Sequence, residues 1–340
     1  MTEKHLAKSA ALMAVLVVLA LGTWEFSLRK KGIGIAYDEN AALWADKRAM
    51  VYEPADQATV FIGSSRIKYD LDIPTWERLT GKHAIQLALQ GNSPLPVLED
   101  LGNDPKFKGR VVVSVMEMLY FSLAPPVTEE IKGYVHYYHA ETPSQKASFR
   151  VDRVLESRFV FLDQDFLTIN AGLDNLRIPN RQGVFPGLLF PLDFSRTGFD
   201  RQTKMTDHFV EDTSLRARVE QQWILAGNMM KNAPPSKEDP VAIVMATTKD
   251  AVAKIRARGG DVIFVRPPSS GPMEQMELQM SPKEAGWAHL LQAAGCKGIY
   301  YKDYPSMSHF TCPEWSHLKP SDAVLYTKAL IDALPAEYLH

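Results

Sequence analysis

Cysteine is nearly missing: Cys296 and Cys312 are the only two in 340 residues. That is too few for a disulfide scaffold, although one bridge is permitted outside the cytoplasm and two buried free thiols are the alternative. No C-x-x-C and no paired histidine spacing occurs, so nothing in the sequence points to a metal, and no motif calls for a cofactor. Net charge is small as well, since 38 Lys and Arg against 40 Asp and Glu leave −2. Without a basic excess, nothing electrostatic points to a nucleic-acid partner. Internal repeats and low-complexity segments are also lacking, and 46% hydrophobic residues is the composition of a folded globular protein. The length allows two domains or one α/β domain with an insertion.

Charge is absent from one stretch altogether. Ser9 to Trp24, "SAALMAVLVVLALGTW", carries none, and with Glu25 as the one exception the apolar run extends to Leu28, close to the roughly 20 residues that cross a bilayer as a helix. Residues 1–31 therefore read as a membrane anchor or a signal peptide. Ala20-Leu21-Gly22 could pass for a cleavage site, but an A-x-A is missing. Lys4 and Lys8 precede the run while Arg29, Lys30 and Lys31 follow it, so flanking charge sets no orientation. An anchor at the inner (cell) membrane would leave residues 32–340 periplasmic or extracellular. The alternative, a buried helix of a soluble domain, would have to be apolar on every face.

What is present is an alternation. Near-continuous apolar runs predict strands at Thr59 to Ile62, Ala84 to Leu89, Arg110 to Val115 and Asp261 to Val265, with a weaker fifth at Gly298 to Tyr301. Helical patterns occupy Ala41 to Met50, Pro94 to Leu101, Val241 to Arg258 and Asp322 to Leu334, the last with Ser321 as N-cap. Such strands alternating with helices predict a parallel sheet covered on both faces. More than a hundred residues separate the third strand from the helix at Val241, too many for a structureless loop. They read as a largely helical insertion over about 125–240, returning through the linker Asn232 to Pro240.

The first strand ends in Gly63-Ser64-Ser65-Arg66, and a serine just past such a strand lies where open α/β sheets carry chemistry. A hydroxyl becomes a nucleophile only when an oriented base removes its proton. His317, in "CPEWSHLKPSDA", lies in a polar loop before the last helix with Glu314 three residues earlier. A carboxylate so placed can turn back to Nδ1, fix the tautomer and leave Nε2 for a serine. His309 has no such acid and reads as structural.

A G-x-S after the first strand, a glycine after the second and a D/E-x-x-H before the last helix, in this order, resemble the SGNH or GDSL-like hydrolase superfamily from about Thr59 to Leu334. The form "GSSR" followed by "DLD", with "VRPPSSGP" later, is most similar to anchored bacterial members of that group, some of which act in polysaccharide O-acetylation. The resemblance implies a three-layer, flavodoxin-like (SGNH-type) α/β fold after an N-terminal transmembrane helix. It implies Ser65 as nucleophile, His317 as base and Glu314 as acid, with Gly91 in "LALQGNSP" at the oxyanion. Ser64 stands where the family usually has aspartate, and Glu314 replaces its Asp. The family's G-x-N-D block is missing after the third strand, which reads "VVVSVMEMLYFS". The hole is then left with the amides of Ser65 and Gly91 unless Asn92 or another side chain substitutes.

Arg66 and Arg266 are the remaining candidate contacts for substrate, although a salt bridge is the bland reading of Arg66, and Asn92 with Ser93 could instead cap the next helix. Tyr134, Tyr137 and Tyr138 read as a packing stripe or a sugar platform. The implied activity is acyl-ester chemistry on an acylated glycan or polysaccharide, as O-acetyltransferase or acetylesterase, beside a membrane-bound O-acyltransferase in the transferase case. The other reading is a non-catalytic scaffold or glycan-binding component of an export complex.

Overall fold

The computed structural model describes residues 3–167, 188–231 and 239–339. It divides into two units, Met1–Asp38 with Pro143–Phe185, and Glu39–Thr142 with Pro186–His340.

In the first unit, helix α1 (Glu3–Lys30) contains the charge-free run. At 1.5 Å per residue its 28 residues extend about 42 Å. Its most apolar stretch has a mean hydropathy of 2.0 and its side chains are exposed, so α1 is long and apolar enough to cross a membrane. Glu25, the one acid within the run, has a local task. Its carboxylate accepts the Val160 and Phe161 amides at 3.2 and 3.0 Å and the Arg29 guanidinium at 2.6 Å. Trp24 packs on Phe161 beside it.

The second unit is built on five parallel strands. These are β1 (Ala58–Ile62), β2 (His83–Gln86), β3 (Arg110–Ser114), and, after a two-stranded hairpin of β4 (Ser195–Thr197) and β5 (Thr203–Met205), β6 (Asp261–Arg266) and β7 (Gly298–Tyr300). Their order in the sheet is β2-β1-β3-β6-β7, with Val60 opposite both Ile85 and Val111, Val111 opposite Val262, and Val265 opposite Ile299. Every residue of β1 is buried, the mark of a strand covered on both faces. Only the step from β1 to β2 runs against the others, so right-handed crossovers place its helices on the opposite face from those that follow. The packing agrees. α3 (Ser65–Asp70) and α4 (Ile73–Thr80) touch the Pro320–Ala333 helix, whereas α5 (Leu95–Asn103) and the Trp287–Ala294 helix flank Pro240–Ala257.

Two expectations change. The Pro320–Ala333 helix is capped at Lys319 and starts on Pro320, which fits the first turn because it has no N–H to lose, and this puts Ser321 inside the helix. The insertion is largely helical but is not one body. Pro125–Ala140 packs on α2 (Ala41–Arg48) in the sheet unit, Pro143–Glu156 belongs with α1, and the β4–β5 hairpin and Thr213–Lys231 return to the sheet unit. Tyr134 meets Trp44 edge-on and Tyr138 lies over Arg48, so both serve helix packing. The expected linker from Asn232 lies almost wholly outside the described residues. Both cysteines are free, Cys312 buried and Cys296 half-buried.

Gly63, just past β1, lies close to the end of β3. A β-carbon there would fall 2.7 Å from Ser114 Cβ and 2.8 Å from Ile67 Cγ2. Gly63→Ala is expected to destabilise the fold by about 1–3 kcal/mol, read as a lower urea midpoint at unchanged slope.

Candidate active site

The sheet changes winding direction between β1 and β3, and the crevice beyond the carboxyl ends of strands at such a point is where open α/β sheets bind ligands. β1 ends there in Gly63-Ser64, and α3 begins directly on Ser65, which is half-buried. The adjacent loop after β2 runs alongside, since the Leu89 amide donates to the Gly63 carbonyl at 3.2 Å. It then turns at Gly91, where φ is +69°, a conformation that favours glycine. The Gly91 and Ser65 amides donate no hydrogen bond among the described residues, so both N–H groups remain available to an acceptor.

Glu314 and His317, the expected acid and base, lie on the loop ahead of the Pro320–Ala333 helix. One oxygen of Glu314, Oε1, accepts both His317 Nδ1 at 2.8 Å and the His317 backbone amide at 2.7 Å. Glu314 is fully buried and His317 is 1% exposed. The loop is pinned from the end of β6, because Ser270 donates its amide to the Trp315 carbonyl and accepts the Cys312 amide on its hydroxyl, each at 2.8 Å. Trp315 has φ +75°, and a bulky residue in the left-handed region costs about 1–3 kcal/mol of strain, kept where surrounding contacts over-determine it. With Nδ1 engaged, Nε2 is left buried and without a hydrogen-bond partner. Buried polar groups are paired as a rule, so an unpaired one calls for a reason such as catalysis.

α3 ties the two halves of the site together. Tyr69 stacks on the His317 imidazole with ring centroids 4.2 Å apart. The next residue, Asp70, accepts the Leu318 amide at 2.9 Å. Ser65 and Tyr69 are four apart on α3 and share a face. Helical side chains lean toward the N-terminus, so Tyr69 covers the turn that begins at Ser65. The imidazole is thus stacked on the helix that carries Ser65, and no hydrogen bond joins Nε2 to the Ser65 hydroxyl. Serine–histidine bonds are often long before substrate binds and tighten in the complex. Burial raises the Asp70 carboxyl well above the usual carboxylate range, Arg66 opposes the shift and the Glu314 charge adds to it. Its burial thus favours the neutral form of the Asp70 carboxyl.

The other sequence-predicted residues lie elsewhere. Arg66 and Arg266, expected as substrate contacts, are both buried and share Glu277. Arg66 grips it with both terminal nitrogens, while Arg266 reaches Glu277 at 2.6 Å and Glu117 at 2.8 Å. Burial alone would raise the Glu277 carboxyl, but the guanidiniums of Arg266 and Arg66 hold it down at about 2. Asn92, expected near the oxyanion, is also inside. Its amide donates to the Gln90 carbonyl and to Glu130, both at 2.9 Å, and its oxygen accepts the Ile131 amide at 3.3 Å. It anchors the Pro125–Ala140 helix instead of capping the next one. His309 is exposed, with Nδ1 3.0 Å from the Pro305 carbonyl.

Sequence reasoning passed over Tyr69, Asp70 and Trp223. Tyr69 and Asp70 lie four and five residues past Ser65, and reading α3 as a helix would have placed Tyr69 on the serine's face. Trp223 donates its indole N–H to Glu314 Oε2, and its ring and that of Phe194 lie 5.9 and 6.1 Å from the imidazole. Set against known proteins, the chain matches no protein-family model and no curated protein sequence, so the reading of these residues rests on their geometry.

Proposed function

We propose that the protein carries out serine-dependent acyl transfer on a carbohydrate outside the cytoplasm, with Ser65 as nucleophile, His317 as base and Glu314 as the acid that orients it. The observation that carries this reading is the imidazole. Glu314 fixes its Nδ1, Tyr69, on the helix that begins at Ser65, clamps its face, and its Nε2 is buried and unpaired. The strand order β2-β1-β3-β6-β7 supports a flavodoxin-like, SGNH-type sheet, since it follows the 2-1-3-4-5 winding of such folds.

In the proposed reaction Nε2 takes the Ser65 proton as Oγ attacks the ester carbonyl, and the amides of Ser65 and Gly91 hold the resulting oxyanion. The intermediate collapses, the donor alcohol leaves with the proton from His317, and Ser65 keeps the acyl group. An acceptor hydroxyl then gives its proton to Nε2 and attacks the acyl-serine, which frees Oγ as the proton returns to it. Water as acceptor makes an esterase and a sugar hydroxyl makes an O-acetyltransferase. α1, long and apolar enough to span, supports a site held beside the membrane, where a membrane-bound O-acyltransferase could supply the acyl group.

Intact mass after exposure of the full chain to a fluorophosphonate tests the nucleophile. The expected result is one adduct on the wild type and none on Ser65→Ala. A folded wild type that takes up no adduct, or an equally labelled Ser65→Ala, overturns the reading and favours a non-catalytic glycan-binding role.

A further inference from the structure

Glu314 is fully buried and ionised carboxylates are poorly tolerated there unless both oxygens are satisfied. Its Oε1 is committed to His317, through Nδ1 and the backbone amide. The partner of Oε2 comes from neither the sheet nor the acid–base loop. It is the indole N–H of Trp223, on the Thr213–Lys231 helix, 91 residues before Glu314 and within the segment inserted between β3 and β6.

The indole is itself held. Phe190 packs on it with centroids 5.1 Å apart and stacks in turn on Phe194 at 5.7 Å. Phe194 joins Tyr69, Met205, Phe209 and Val219 in a small separate apolar core against which Trp223 packs. Tyr69 is fixed from the same side, since its hydroxyl donates to Ser195 Oγ on β4 at 2.7 Å. The same small core thus meets the imidazole, through Tyr69 and Phe194, and carries the donor to its acid, through Trp223.

We propose that Trp223 is a positioning residue: its indole N–H fixes the second oxygen of Glu314, so that the inserted Thr213–Lys231 helix completes the acid–base relay. This rests on the reading of Ser65, His317 and Glu314 as a triad and assigns the inserted segment a part in it. A carboxylate tied at both oxygens cannot rotate away from Nδ1. The indole dipole also draws part of the carboxylate charge toward Oε2, so less of it falls on the imidazole.

Trp223→Phe keeps a ring against Phe190 and removes the donor, with Trp223→Met replacing it where the phenylalanine variant does not melt cooperatively. The rate of Ser65 labelling by a fluorophosphonate is followed against pH on the full chain. Loss of one charge-assisted hydrogen bond is expected to slow labelling about tenfold. With the full carboxylate charge turned on the imidazole, its protonated form is favoured, so the midpoint of the pH–rate curve is expected to move upward. A merely structural loss would lower the labelled fraction without moving that midpoint. Wild-type labelling with an unchanged rate and midpoint in the variant overturns this inference alone, whereas an unlabelled, folded wild type overturns the triad beneath it.

Discussion

Replacing His317 is expected to slow acyl transfer from a small activated ester, such as an aryl acetate, by at least about 10⁴-fold, because in the proposed mechanism the serine then loses the base that takes its proton. The imidazole is enclosed by Tyr69, Phe194 and Trp223, so His317→Ala opens a cavity and His317→Gln is the better probe, keeping volume and losing the base. Residues that act as one unit have non-additive effects. The double variant Ser65→Ala/His317→Gln should therefore be no slower than either single variant. Two independent groups would instead multiply their losses. A His317→Gln protein that keeps a tenth of wild-type activity, with an unchanged melting temperature, would remove the base from the mechanism. Glu314→Gln should lie between the two extremes. Its amide can offer an oxygen to either the His317 or the Trp223 donor, but it then turns an NH₂ toward the other.

The frame of this site was legible because local patterns carry it. Four apolar, β-type runs and one weaker one became the five parallel strands, no end differing by more than three residues, since a strand buried on both faces has few polar positions. The E-x-x-H spacing was legible for the same reason: a three-residue return in a tight loop is local geometry. Long-range pairing was not. Arg66 finds Glu277 across 211 residues, and nothing near Arg66 in the chain announces that its charge is internal. Asn92 looked like a helix cap because the nearest helix in sequence follows it, yet its partners Glu130 and Ile131 lie nearly forty residues on. Trp223 was hidden among helical residues whose periodicity suggests packing, and only the fold brings its N–H to a buried carboxylate. The division of the insertion between two units has no sequence mark comparable to a strand pattern.

Glu277→Ala is expected to destabilise the sheet unit by about 3–5 kcal/mol, the usual consequence of stranding buried charge. Arg66 and Arg266 are 0% and 3% exposed, so neither can turn to water, and each would face the other across the space the carboxylate leaves. Ser269 would lose its acceptor as well, its hydroxyl now donating to Glu277 at 2.7 Å. Glu277→Gln preserves the volume but not the charge, and should fall between the alanine variant and the wild type. The pairing also fixes an acid dependence. The Glu277 carboxyl is held at about 2 in the folded protein, against an ordinary value of 4.5. A carboxyl whose folded value is depressed contributes stability above its unfolded value and loses it as pH falls toward the folded one. Wild-type stability should therefore decline between about pH 4.5 and 2, and Glu277→Gln should lack that component. Urea unfolding across this range reads both effects, and an alanine variant within about 0.5 kcal/mol of wild type would show that the ion-pair chain is not what holds α3 in place. The consequence reaches the reaction through the chain itself. Arg66 is the residue after Ser65, so an α3 released from Glu277 carries the hydroxyl away from an imidazole that Glu314 still holds in position.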